Sequence, residues 1–237
     1  MQIDSGPALR FVPAMRLLVL FCTFCAAAFG GMPPALEAAL RDFRADGPPG
    51  WSFVQTSTAG TESLAERFDA AKPEFERWTL LAKNGRAPTA DEERDYREKQ
   101  TRRSRGGTAP RITESLDPAT VEVVSETEEQ LVCRCRLKKG EAGDKTAEFI
   151  RVTLSLHKPT QTIETFELGS MAPFSPTLGI KLAEMKTVMS FSRAEAGRPS
   201  LLLRVTTRLR GRAFWFKSLD QDLMVVFSDH AKILSKR

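Results

Sequence analysis

The chain has little of the material from which catalytic and metal sites are usually built. Its 237 residues include two His, four Cys, one Tyr and a single Asn, Asn84. Two His leave little for imidazole acid–base or metal chemistry, and four Cys in a chain of this length do not make a disulfide scaffold. Asn84 precedes Gly85 and Arg86, so no N-glycosylation sequon exists. Also absent are the GxSxG nucleophile elbow, the GxxxxGK[ST] phosphate loop, the HExxH zinc helix and the GxGxxG dinucleotide loop, and the one CxxC, Cys22 to Cys25, falls within an uncharged apolar run. No repeat of 20 to 50 residues recurs. These gaps argue against an enzyme and against a cofactor or metal requirement; a hydrolase would need a nucleophile–base pair that is not visible. The composition, 41% hydrophobic and 27% charged with 15 Gly and 14 Pro, is that of a globular protein rather than a collagen, a disordered chain or a polytopic membrane protein.

The longest uncharged apolar run is LLVLFCTFCAAAF, residues 17–29. It is too short for a membrane-spanning helix, which takes about 20 residues. Arg10 and Arg16 precede it, and Gly30 and Gly31 follow. This order of basic, apolar and small residues reads as a secretory signal peptide over 1–30, cleaved before Gly31 or after Ala28. Neither Cys22 nor Cys25 has the small preceding residue that lipidation needs, since Phe21 and Phe24 stand there. Loss of Arg10, Arg16 and Asp4 takes the net charge from +5 to +4. An exported chain with no sequon and two remaining Cys points to the periplasm of a Gram-negative bacterium, with 31–237 as one domain.

Residues 33–45, PPALEAALRDFRA, place Leu36, Leu40 and Phe43 on one helix face behind a proline pair. WSFVQTS, with Trp51, Phe53 and Gln55 in one parity, reads as a strand, followed by strands near 64–69 and 75–82. Asn84-Gly85 marks a turn, and Thr89 with Glu92 forms a capping box for a helix over 90–100. Tyr96 is nearly the only large apolar residue of that helix, which is expected to lie on the surface. Beyond residue 118 the period becomes two. LVCRCRLK, EFIRVTLSLH and SLLLRVTTRLRGR alternate apolar and polar positions, the signature of half-buried antiparallel strands. Further strands are expected near 119–126, 161–168, 182–192, 212–219 and 222–229. The fold class is therefore mainly β: a single antiparallel meander of about eleven strands forming an open half-barrel, with an N-terminal helix and one inserted surface helix. The core candidates are Trp51, Phe53, Trp78, Leu80, Leu131, Ile150, Val152, Leu154, Leu203, Val205 and Trp215.

Several groups carry possible chemistry. Ser228-Asp229-His230 has the letters of a triad, but consecutive strand residues point to opposite faces, so a polar strand end is the expected reading. His157 reads as a solvated turn residue. Cys133 and Cys135 share a strand face, as two small core residues, a strained disulfide or a redox pair. Residues 97–111 hold six cations against one acid, Glu98, but no aromatic for base stacking, so nucleic acid is not an expected partner. Arg102, Arg103 and Arg105 there are candidates for contact with an anionic partner such as a membrane surface, or belong to a solvated loop. Arg204, Arg208, Arg210 and Arg212 share one strand face, which is either solvated or turned to an anion. GSMAPFSPTLGI, residues 169–180, is apolar yet proline-broken, and is either a plug at one end of the sheet or a lid over an apolar cavity. Met171, Phe174 and Leu178 in it, with Trp78 and Trp215, are the candidate lining of that cavity.

LEAALRDF followed by WSFVQTS resembles the start of the periplasmic lipoprotein carriers and their relatives (LolA-like proteins). There an amphipathic helix precedes an aromatic-x-Gln strand and a curved meander. WTLLAKNGRAPTADEERDY, MAPFSPTLGIKL, GRAFWFK and VFSDH look like segments of an uncharacterised group of bacterial exported proteins. The charged helix and basic linker at 89–111 depart from the carrier pattern. The resemblance implies an open half-barrel whose concave apolar face is covered by helices or loops. It also implies a non-enzymatic monomeric binder of a lipid or lipidated protein. A filled core, with a partner bound on the surface, is the alternative.

Overall fold

The computed structural model describes residues 31–103, 112–139, 146–214 and 216–233. The expected signal segment, Arg105, Trp215 and the side chains of Arg102 and Arg103 lie outside what is described.

The proline pair opens a short helix, α1 (Pro34–Arg41), which buries Leu36, Ala39 and Leu40. Eight residues are too few for a helix to persist alone, so this buried face holds it. The helix stops at Asp42, earlier than expected, yet Phe43 continues its packing. The Phe43 ring stacks on Phe166 at 5.8 Å and meets Phe191 edge-on at 5.0 Å. Next come β1 (Trp51–Ala59), β2 (Glu62–Phe68) and β3 (Trp78–Lys83). The Asn84-Gly85 turn forms as expected, both residues at positive φ, 51° and 75°. The helix α2 (Ala90–Arg103) then starts at its capping box. The Glu92 N–H donates to Thr89 Oγ1 at 3.3 Å, and the Thr89 N–H donates to Glu92 Oε2 at 2.9 Å.

The second half supplies β4 (Leu116–Glu126), β5 (Gln130–Leu137), a single turn α3 (Thr146–Phe149), β6 (Ile150–His157) and β7 (Thr162–Ser170). It ends with β8 (Ile180–Phe191), β9 (Leu202–Ala213), the two-residue β10 (Lys217–Ser218) and β11 (Gln221–Lys232). All eleven strands join one antiparallel sheet in the order β3-β2-β1-β11-β9-β8-β7-β6-β5-β4, with β10 paired to β9 off this path. The meander is broken once. After β3 the chain passes through α2 to the far edge, returns strand by strand, and lays β11 against β1. β3 and β4 stay unpaired with each other, so the sheet is open.

The main core lies between α1 and one face of β5 to β8, called the inner face here. Leu131, Cys133 and Cys135 of β5 sit opposite Leu156, Leu154 and Val152 of β6, and all six are at most 2% exposed. The expected parity holds in both strands. It fails in β9, where Leu203 is 38% exposed while Leu201 and Leu202 are buried. The cause is a β-bulge. Phe191 faces Leu202 and Ser190 faces Arg204, which leaves Leu203 with no partner on β8. Trp51, Phe53 and Trp78 are half-buried rather than core. His157 is not solvated: only 8% exposed, its Nδ1 lies 2.8 Å from Thr160 Oγ1, beside buried Thr162. The β6–β7 turn folds the ring inward onto these threonines.

Candidate binding face

The strand register defines rows of residues that share the inner face. One row runs Cys133, Leu154, Phe166, Met189, Val205, Val225 and Ser57, from β5 to β1. Under α1 its members are closed off: Cys133 and Leu154 are 1% exposed and Phe166 is 0% exposed. From β8 onward Met189, Val205 and Val225 are only half-buried, as are Met185, Leu209 and Leu223 in neighbouring rows. These six apolar side chains form a strip across β8, β9 and β11. Strands lie about 4.8 Å apart, so three strands give a strip roughly 10 Å wide.

The far side of the inner face is covered differently. There α2 packs on β3, and its one large ring enters the face. Tyr96 is 9% exposed, so the helix is a surface element anchored by one buried side chain. The Tyr96 hydroxyl donates to Glu66 Oε1 at 2.6 Å, and Gln55 Nε2 donates to Glu66 Oε2 at 2.6 Å. Glu66 is 4% exposed, and these two bonds on separate oxygens are what make its burial tolerable. A cavity of about 400 Å³ opens beside it, lined by Gln55, Glu66, Phe68, Glu74, Arg77, Trp78 and Gln100. Glu66 was missed in the sequence because it stands in ESLAERF, where a buried position looks like any charged strand residue. The signal that could have found it is Tyr96, a lone aromatic in a charged helix that needed somewhere to go.

The candidate cavity residues do not come together. Trp78 lies on β3, against Phe68 at 5.1 Å and Phe53 at 5.9 Å. Phe174, 5% exposed, plugs the connection between β7 and β8. It stacks on Phe149 at 5.4 Å and packs with Ile150 and Leu182. Met171 is 39% exposed and Leu178 is 98% exposed, so both face outward rather than into a shared space. The plug reading of this loop fits Phe174, and the lid reading does not fit Leu178.

No family model, curated protein or solved structure matches the chain.

Ser228 Oγ donates to Asp229 Oδ2 at 3.2 Å, while His230 Nε2 lies 3.0 Å from the carbonyl oxygen of Leu202. These three residues therefore form no relay. Burial holds His230 below its ordinary pKa. Cys133 and Cys135 are free, and burial pushes both thiols up to about 11, the opposite of a reactive thiolate. Among the described residues no three His, Cys, Asp or Glu are grouped to hold a metal ion, and no helix is long and apolar enough to cross a membrane. The arginine stripe of β9 lies on the outer face. Arg210 Nη2 meets both oxygens of Asp222, at 2.9 and 2.7 Å, and Arg208 approaches the same carboxylate at 3.6 Å. The Arg210 hydrogen bond is the chief reason that Asp222 sits below the ordinary carboxylate range.

Proposed function

We propose that this chain is an exported, non-enzymatic binding protein whose inner sheet face receives an acyl chain, carried by a lipid or a lipidated partner. The observation that carries this reading is the contrast within one row of the sheet. Its apolar side chains are closed off beneath α1 and left half-open at Met189, Val205 and Val225. Open apolar side chains that line a strip about as wide as three strands suit a long, thin, apolar ligand. Methionines at two of the six positions suit a ligand of variable shape. The resemblance of the N-terminal segments to periplasmic lipoprotein carriers supports the same reading, as does the signal-like run at 17–29.

An environment-sensitive fatty-acid probe should bind at micromolar concentration. Val225→Asp, on the inner face, should weaken binding at least tenfold, while Thr206→Asp on the outer face should not. If neither protein binds the probe and organic extraction of the native protein yields no lipid, the acyl-chain reading fails. The second reading, a partner bound at the surface of a filled domain, would then stand; the closed core beneath α1 favours it. The export part has its own check: N-terminal sequencing should find the mature chain starting between Phe29 and Met32.

A further inference from the structure

The three most exposed large apolar side chains among the described residues gather at one end of the sheet. Leu178 is 98% exposed, Phe216 86% and Phe214 66%. Leu178 precedes β8, and the two Phe flank the tight connection between β9 and β10. The register brings them together, because Ile180 pairs with Ala213 and Lys217 pairs with Ala213 from the other side. The arrangement is held in place. The Phe214 N–H donates to the Gly179 carbonyl oxygen at 2.7 Å. Its ring lies over Gly179 so closely that a Cβ there would stand 2.9 Å from a ring carbon. Phe214 also sits at φ 48°, a region that a bulky residue occupies at some cost.

The charges on the two segments that form this tip are of one sign, and the acid at their margin, Asp220, is engaged by the Gly211 N–H at 3.0 Å. Segments 171–182 and 211–219 contain Lys181, Arg212 and Lys217 and no acid. Lys181 and Arg212 stand directly opposite each other on β8 and β9. Like charges in that position destabilise a sheet. All three cations are exposed, and none takes part in an ion pair among the described residues. A depression of about 460 Å³ beside Lys181 and Arg212 is lined by these two with Ser175, Gly179 and Ile180. This is a place where an anion would relieve the repulsion.

We propose that this end of the sheet docks on an anionic phospholipid bilayer. Leu178, Phe214 and Phe216 enter the headgroup region, and Lys181, Arg212 and Lys217 meet the lipid phosphates. Aromatic side chains favour the membrane–water interface, and a few apolar side chains joined to a basic cluster make a reversible surface anchor. An exposed cluster of three apolar side chains is small for a protein interface, which takes about 800 Å² from each partner. The proposal does not depend on acyl-chain binding by the inner face, because vesicle binding is read without any probe.

The test is co-sedimentation of the protein, recovered from its native cells, with vesicles of phosphatidylglycerol and phosphatidylcholine or of phosphatidylcholine alone. Binding is expected to the anionic vesicles and to weaken with added salt. The triple change Lys181→Gln, Arg212→Gln, Lys217→Gln should lower partitioning by about fivefold per cation removed. The double change Leu178→Ser, Phe216→Ser should lower it at least tenfold. These positions are exposed, and circular dichroism should show an unchanged fold. Equal binding of the variants and the wild type, or equal binding to neutral vesicles, would overturn the proposal. So would a protein that ignores vesicles but loses a co-purifying protein when Phe216 is changed.

Discussion

The bulge in β9 makes two adjacent leucines behave in opposite ways. Leu202 faces Phe191 across the strand pair, is 8% exposed and belongs to the main core with Phe166 and Leu154. Leu203 has no partner on β8 and is 38% exposed. Truncating a buried leucine to alanine costs about 2–5 kcal/mol, from lost apolar transfer plus the cavity left behind. Leu202→Ala should fall near the middle, at about 3 kcal/mol, because the surrounding strands limit collapse. Leu203→Ala leaves no enclosed cavity and should cost about 1 kcal/mol or less. A domain of this size loses about 2–4 °C of Tm per kcal/mol, so the first change should lower Tm by about 9 °C and the second by about 3 °C. The charged versions sharpen the contrast. Leu202→Arg places an unpaired cation in the core and should prevent stable folding, whereas Leu203→Arg should fold. Thermal and urea unfolding followed by circular dichroism would measure both pairs. If Leu203 proves the more sensitive position, β9 has no bulge there: Leu203 then shares the buried face with Val205 and Leu209, and it is the core position of Leu202 that falls.

Tyr96→Phe removes one of the two donors to Glu66 and should destabilise by about 1–3 kcal/mol in urea unfolding; a variant as stable as the wild type would mean that the hydroxyl does not serve Glu66. Arg86, the Thr89 N–H and Lys83 hold the Glu92 carboxyl well below its ordinary 4.5. A carboxyl whose folded value is lowered stabilises the fold above its unfolded value and loses that contribution as pH falls from about 4.5 toward the folded value. Glu92→Gln should therefore flatten the stability–pH curve in that window, and an unchanged slope would show that this cluster contributes nothing to it. Cys133 and Cys135 should resist iodoacetamide in the native protein at pH 8 and react once the chain is unfolded in urea; rapid native labelling would contradict their burial.

Much of the architecture was legible because it rests on local patterns. The alternation in LVCRCRLK and EFIRVTLSLH named the buried side of β5 and β6 correctly, because a regular strand turns successive side chains to opposite faces. Thr89 and Glu92 announced the start of α2, because the capping box is made within one helical turn. The Asn84-Gly85 turn was equally local. Where a reading needed a partner distant in the chain, it went astray. The pattern of SLLLRVTTRLRGR gives no sign of the bulge, since the unpaired residue is chosen by the register against β8. Phe174, Leu178 and Trp78 looked alike as apolar residues awaiting a cavity, yet one became a plug, one an exposed tip and one part of an aromatic cluster on β3. Pairing of β11 with β1, which brings the two ends of the described fold together, is also a long-range choice. It creates the row in which Val225 lies between Val205 and Ser57. By itself, the sequence determined which residues could be buried, through periods of two and 3.6 and the chemistry of turns. The tertiary structure alone decided which of them were covered, because two short helices cannot close an eleven-stranded face, and strand register selects the side chains left open.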